Sequence, residues 1–92
     1  MEYRLYHMEP GREPRLLGSG SCSDILRAER HLTAAVAEDL RDRFAGEPEI
    51  YGPDHDPLRS DVHFSLYHIT ALVRDQSGQD RKERYIVLES SL

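Results

Sequence analysis

The amino-acid sequence predicts an α+β fold, a small antiparallel sheet of four or five strands with one long amphipathic helix packed on one face. Apolar residues recur at three- and four-residue spacing over one central segment, which is typical of such a helix. Short segments bounded by glycine- and proline-containing turns flank it on both sides and predict strands. With 92 residues, the chain is long enough for one domain, spanning 1–92, in the order β-β-α-(β)-β-β.

The first strands form a predicted hairpin. Residues 3–8 are rich in aromatic side chains and alternate weakly, as a strand does. Pro10 and Gly11 follow, and this pair favours a tight turn because proline presets φ and glycine accepts a positive φ. We therefore expect a short return strand over 14–17, ended by the glycine- and serine-rich residues 18–21.

A helix is predicted from about residue 23 to residue 45. Its apolar stripe consists of Ile25, Ala28, Leu32, Val36, Leu40 and Phe44. Ser21 or Ser23 can cap the N-terminus, where Asp24 complements the helix dipole. Gly46 can take the left-handed closing position at the C-terminal end. An isolated helix of this length is marginal in water, so the stripe needs an apolar partner.

The segment 47–61 carries most of the excess negative charge. The whole chain has 17 acidic and 12 basic residues, a net charge of −5, and this segment alone holds five acids against Arg59. It also holds three prolines, which exclude a central strand or a long helix. The sequence therefore predicts an acidic proline-rich loop, with at most a brief strand at Ile50 and Tyr51.

Two strands form a predicted hairpin at the C-terminal end, over 61–74 and 84–88, joined by the polar turn 76–79. The first strand has apolar residues on both faces. The face expected to pack against the helix consists of Val62, Phe64, Leu66 and Leu72. The opposite face begins with the polar or aromatic residues His63, Ser65 and Tyr67 and continues with the apolar residues Ile69, Ala71 and Val73. Tyr67 is therefore expected to point outward, to be joined there by Tyr6 or Tyr85. Either both faces of this strand are covered, or a β-bulge shifts its phase.

Composition excludes several classes of protein. A single cysteine cannot form an intrachain disulfide, and no apolar run is long enough to span a membrane. No apolar segment follows Met1, which predicts a cytoplasmic protein without a signal peptide. The negative charge argues against nucleic acid as the main partner, although tyrosines on a sheet could stack bases, so a nucleic-acid-binding sheet stays an alternative.

No complete catalytic or metal-binding motif is present, so we predict neither an enzyme nor a cofactor. Cys22 lies near a helix N-terminus, where a thiol can be activated, and a small enzyme using it or a His/Asp cluster across a dimer interface stays an alternative. Asp54, His55 and Asp56, with His63 and His68, are possible ligands for a divalent metal. Their spacing matches no established metal motif, so the prediction is a solvated acidic loop.

The function predicted from the sequence is that of a small acidic protein-binding module: an adaptor, a regulator or an inhibitor. It would dock on a protein with a basic surface through the acidic loop and the open sheet face. Phage and mobile-element inhibitors are an analogy for this type of protein. The predicted partner-binding residues are Asp54, His55, Asp56, Arg59, Asp61, His63 and Tyr67. A homodimer, formed through an edge strand or the open sheet face, is the structural alternative.

Overall fold

A computed structural model describes residues 1–90 and shows one antiparallel sheet with one helix across it, which confirms the predicted α+β class. The elements are β1 (Glu2–Met8), β2 (Arg15–Ser21), α1 (Ile25–Arg43), β3 (Glu49–Asp56), a 3-10 turn (Pro57–Arg59), β4 (Phe64–Arg74) and β5 (Asp80–Ser90). The strands lie in the order β2-β1-β5-β4-β3. Within the described residues, no helix is long and apolar enough to cross a membrane.

Both predicted hairpins are present, and their turns use the expected chemistry. Gly11 has φ of 75° and Gly78 has φ of 81°, a region that residues with a side chain rarely adopt. Strand β2, however, is longer than predicted, because the segment 18–21 continues the strand instead of ending it. Gly20 pairs with Tyr3, and a Cβ at Gly20 would lie 2.6 Å from the Tyr3 hydroxyl, so the tyrosine side chain occupies the space above the glycine.

The helix α1 begins and ends two residues inside the predicted bounds. Its N-cap is Asp24, whose carboxylate accepts a hydrogen bond from the backbone N–H of Arg27 at 3.2 Å, so the expected serine caps are wrong. Its C-cap is Phe44 in an extended conformation, with a backbone N–H bond to Leu40. Gly46 does not have a positive φ, so the predicted left-handed closure is also wrong.

The helix packs on the opposite face of β4 from the one predicted. The buried core consists of Leu5, Ile25, Ala28, Leu32, Val36, Leu40, Ile69, Ala71, Val73, Tyr85 and Val87. Thus Ile69, Ala71 and Val73 face the helix, whereas Val62 is 86% exposed and Phe64 is 42% exposed. Strand β4 pairs with β5 without a register shift, so no bulge changes its phase and one of its two apolar faces is left uncovered by the helix.

The predicted acidic loop is largely an edge strand. Strand β3 pairs with β4 on one side only, and its register shifts between Tyr51 and Asp54, where Gly52 and the cis-linked Pro53 form a bulge. An edge strand tolerates proline because one row of its backbone N–H groups has no strand partner. The prolines therefore mark the bulge and the 3-10 turn that follows, and they do not prevent pairing.

Replacing Gly52 with alanine is expected to destabilise the protein by about 2 kcal/mol or more, because the change disrupts the β3 bulge. Gly52 has φ of 108°, and an added Cβ would lie 2.5 Å from the backbone oxygen of His68. Urea unfolding of the variant measures this loss. Gly18→Ala is the control, since a Cβ there meets nothing within 4 Å. Equal stability of the two variants would contradict the role assigned to Gly52.

Candidate partner-binding surface

The sheet face opposite α1, here called the open face, carries a patch of apolar and aromatic side chains among charged ones. Cross-strand neighbours share a face, so the paired residues Tyr6, Ile86 and His68 lie side by side on it. Its apolar members are Tyr6, Met8, Leu16, Phe64, Leu66, Leu72, Ile86 and Leu88. Leu16 is 55% exposed, whereas Leu66 at the centre is only 8% exposed. The open face therefore holds one contiguous apolar patch with no helix over it, and Leu72 lies apart from this patch, between Lys82 and Glu49.

Charge on the open face is divided between its two sides. The basic side consists of Arg4, Lys82 and Arg84 on β1 and β5, and the acidic edge consists of Glu49, Asp54 and Asp56 on β3. Glu2 lies at one end of β1, one row beyond Arg4, and Arg74 pairs with Asp80 at the other end of the sheet. Strand β4, which presents Leu66, Thr70 and Leu72 on this face, lies between the two sides. The surface thus carries opposite charges across its width.

A shallow groove of about 530 Å³ lies at one end of the open face, over β2, β1 and β5, with Phe64 of β4 at its border and Glu2 in its lining. Tyr6, Phe64 and Leu88 supply its apolar wall, and Arg4 supplies a cation. Aromatic rings beside an arginine are common at the centres of protein interfaces. The groove extends the apolar surface to the end of the sheet.

The structure separates the predicted partner-binding residues into three groups. Asp54 and Asp56 lie on the open face, at the acidic edge. His55 and Tyr67 pair on the other face of the sheet, with ring centroids 5.2 Å apart. Tyr67 packs against the core below the helix, so the expectation that it points outward is wrong. Among the other tyrosines, Tyr6 lies on the open face and Tyr85 is fully buried on the helix side.

The remaining predicted residues form the connection between β3 and β4. Asp56 accepts hydrogen bonds from His68 at 2.7 Å and from Arg59 at 3.0 Å, and the bond from His68 is the main reason that the pKa of Asp56 is lowered. Asp61 accepts bonds from the backbone N–H groups of His63 and Phe64, which lower its pKa in the same way. These contacts fix the corner at which the acidic edge meets β4.

A network of polar side chains, which the sequence analysis missed, lies on the helix side of the sheet. Its centre is Asp39, whose carboxylate accepts bonds from Tyr85 at 2.7 Å and from Arg15 and Arg43 at 2.8 Å each. Burial alone would raise the pKa of Asp39, but these three bonds lower it to about 2. Arg43 also binds Glu83 at 2.6 Å. The network ties the last turns of α1 to β1, β2 and β5.

His7 completes this network and is only 1% exposed. Arg15 Nη2 lies 3.2 Å from His7 Nδ1, and Arg43 Nη2 lies 3.4 Å from His7 Nε2. The same Nε2 also faces Glu83 Oε2 at 3.6 Å, so the ring lies between two arginines and a carboxylate. The one local signal for this network was the four-residue spacing of Asp39 and Arg43, which allows an ion pair on a helix surface. The other members come from separate strands.

A second buried polar group lies near the start of the helix. Glu89 is 7% exposed, and within the described residues its Oε2 has no hydrogen-bond partner. Its charge contributes to raising the pKa of Cys22 and of Tyr67, although burial is the larger cause for both. Cys22 also lies outside the helix, two residues before the cap. The environment of Cys22 therefore disfavours the thiolate, contrary to the activation considered from the sequence.

Cys22 is accordingly expected to react with iodoacetamide more slowly than free cysteine near neutral pH, because only the thiolate is nucleophilic. The rate is measured on the folded protein, with the urea-unfolded protein as the control. Faster reaction in the folded state than in the unfolded state would contradict the raised pKa of Cys22.

Residues 1–90 contain no group of three or more His, Cys, Asp or Glu side chains arranged to hold a metal ion.

In comparisons with known proteins, no protein-family model matches the chain, and no curated protein or solved structure matches it significantly.

Proposed function

We propose that this protein is a protein-binding module and that the open face of its sheet is the docking surface. The observation that carries the proposal is the apolar patch on that face, which includes Leu16, Ile86 and Phe64. Monomeric proteins rarely expose contiguous apolar patches larger than a few hundred Å², and larger ones mark interaction sites. Here one whole face of a five-stranded sheet is left without a helix, and Leu16, Phe64 and Leu72 are each more than a third exposed.

The acidic edge supports a preference for partners with a basic surface. Asp54 and Asp56 project from the same face as the apolar residues, so a docking protein would meet both together. Opposite charge at the border of an interface steers association and fixes orientation more than it adds affinity. In this role the protein would act as an adaptor, a regulator or an inhibitor.

The test is affinity capture from cells of the source organism with matched variants. Phe64→Glu and Ile86→Glu place a charge on the open face, and Leu26→Glu is the control because Leu26 is 70% exposed on the outer surface of α1. Circular dichroism confirms that each variant is folded. We expect proteins held by the wild type and the Leu26 variant to be lost from both open-face variants. Proteins held equally by all four baits would overturn the proposal.

A nucleic-acid-binding sheet is the second candidate, and the groove favours it. Tyr6 and Phe64 line the groove beside Arg4, and bases stack on aromatic rings next to cations in many single-strand-binding proteins. The acidic edge on the same face opposes a phosphate backbone. Fluorescence anisotropy with single-stranded RNA at low salt tests this function, and binding lost on Tyr6→Ala would favour it over protein docking.

A further inference from the structure

We infer that the partner on the open face is a second copy of this chain, docked face to face about a two-fold axis. This inference rests on the proposed docking function and names its partner. The basic surface that the acidic edge requires is present on the protein itself, on the opposite side of the same face. A surface that carries both halves of a complementary pair can bind its own copy through an isologous interface.

Unpaired charges support this assignment. Within residues 1–90, Arg4, Lys82 and Arg84 on the basic side and Asp54 on the acidic edge form no ion pair. On the helix side, by contrast, Asp39 and Glu83 are paired with arginines, although the buried Glu89 is not. The unsatisfied charges of both signs are therefore available on the face that the helix does not cover.

The strand order fixes how the copies must lie. In the order β2-β1-β5-β4-β3, a two-fold axis parallel to the strands and between β4 and β5 stacks β3 of one copy over β1 of the other. Arg4 and Asp56 lie in one cross-strand row, through Leu88 and Leu66. The unpaired Asp54 lies in the next row on the same face, so this axis brings the acidic edge, with Asp54, close to Arg4 twice. An axis perpendicular to the strands would stack the acidic edge on itself. Aligned sheets pack at about 30°, which this arrangement permits.

The area is sufficient for a specific dimer. About this axis four strands of each copy overlap and β2 has no strand opposite it, so at a spacing of about 4.8 Å the overlap covers ~19 Å, and strands of seven to eleven residues run for ~23–36 Å. The footprint is then roughly 550 Å² on each copy, or ~1,100 Å² in total, above the ~1,000 Å² expected of a biological interface. Dimerisation would also bury Ile86 and Leu88 at the centre, where β5 of each copy meets β4 of the other.

Sedimentation equilibrium of the purified full chain tests the inference with a charge exchange. We expect a dimer of twice the 10.6 kDa chain mass. Arg4→Glu and Asp54→Arg should each raise the dissociation constant about tenfold, since each change acts twice across the axis, and the double variant should restore it. Arg30→Glu, on the exposed surface of α1, changes the net charge as Arg4→Glu does and should have no effect.

Two results would show that the partner is not a second copy of this chain. One is a monomer of 10.6 kDa at every concentration up to the millimolar range. The other is a dimer that responds to Arg30→Glu as strongly as to Arg4→Glu, or that the double variant fails to restore. Capture from cells separates this failure from failure of the docking function. If the protein is a monomer and its captured proteins still depend on the open face, the docking function is supported and only the homodimer is excluded.

Discussion

Replacing Asp39 with alanine is expected to lower the free energy of unfolding by about 3 kcal/mol, because the change orphans the buried Tyr85 hydroxyl and removes the acceptor of two arginines. Tyr85, Arg15 and Arg43 all donate to the Asp39 carboxylate, whose side chain is only 9% exposed. A chain of this size has roughly 5–14 kcal/mol of stability in total, so the loss would be a large fraction of it. Urea unfolding near pH 7 measures the difference.

Asp42→Ala is the control for this substitution, since Asp42 is an exposed acid on the same helix. It removes the same type of side chain and changes the net charge equally. If the two variants lose similar stability, the network around Asp39 does not hold the helix to the sheet.

The same carboxylate makes stability depend on pH in a defined direction. Its pKa is about 2 in the folded protein and near 3.8 in the unfolded chain, so the folded state binds fewer protons between these values. The stabilisation from Asp39 is fully present above about pH 4 and is lost as the pH falls through about 2. The stability difference between the wild type and Asp39→Ala should therefore shrink over this acid range. A difference that stays constant would contradict the lowered pKa of Asp39.

Replacing Leu32 with alanine is expected to cost about 3 kcal/mol, because it leaves a cavity between the helix and the sheet. Leu32 is 1% exposed and lies at the centre of the helical stripe. For a chain of this length, a loss of that size corresponds to a fall in melting temperature of more than about 10 °C. Thermal unfolding followed by circular dichroism gives the value.

The matched control is Leu26→Ala, on the exposed side of the same helix. It removes the same atoms from a position that packs against nothing in the core, and alanine is an equally good helix former, so its effect should be within about 0.5 kcal/mol of zero. Comparable losses at both positions would mean that the helix does not bury the predicted stripe.

The helix and the hairpins were predictable because each rests on a local rule. The stripe through Leu32 and Leu40 has one helical period and only one apolar side, so its orientation was unambiguous. The turns at Gly11 and Gly78 require a positive φ that glycine supplies. Local rules of this kind apply without knowledge of the tertiary packing.

The orientation of β4 could not be predicted in the same way. Its even positions hold Phe64, Leu66 and Leu72, and its odd positions hold Ile69, Ala71 and Val73, so period-two alternation gives two equally apolar faces. Which of them meets the helix depends on tertiary packing. The ambiguity itself was informative, because a strand that is apolar on both faces needs a cover on both.

The acidic edge and the polar network depend on non-local pairing. The prolines of the segment 47–61 favoured a loop because proline breaks central strands, but the edge position of β3 removes that constraint. The network around Asp39 collects side chains from one helix and three strands, and only its Arg43 contact is local in sequence. The spacing of residues in the sequence therefore predicts neither the edge position of β3 nor the convergence of these side chains on Asp39.

Accessibility of methyl groups to a soluble paramagnetic probe tests most directly whether a second copy covers the open face. Nuclear magnetic resonance compares Ile86 and Leu88 on that face with Leu26 on the exposed side of α1, below and above the concentration at which the dimer forms. We expect the relaxation enhancement at Ile86 and Leu88 to fall as the concentration rises, while that at Leu26 stays constant. If Ile86 and Leu88 stay as accessible as in the dilute protein, a second copy does not cover the open face.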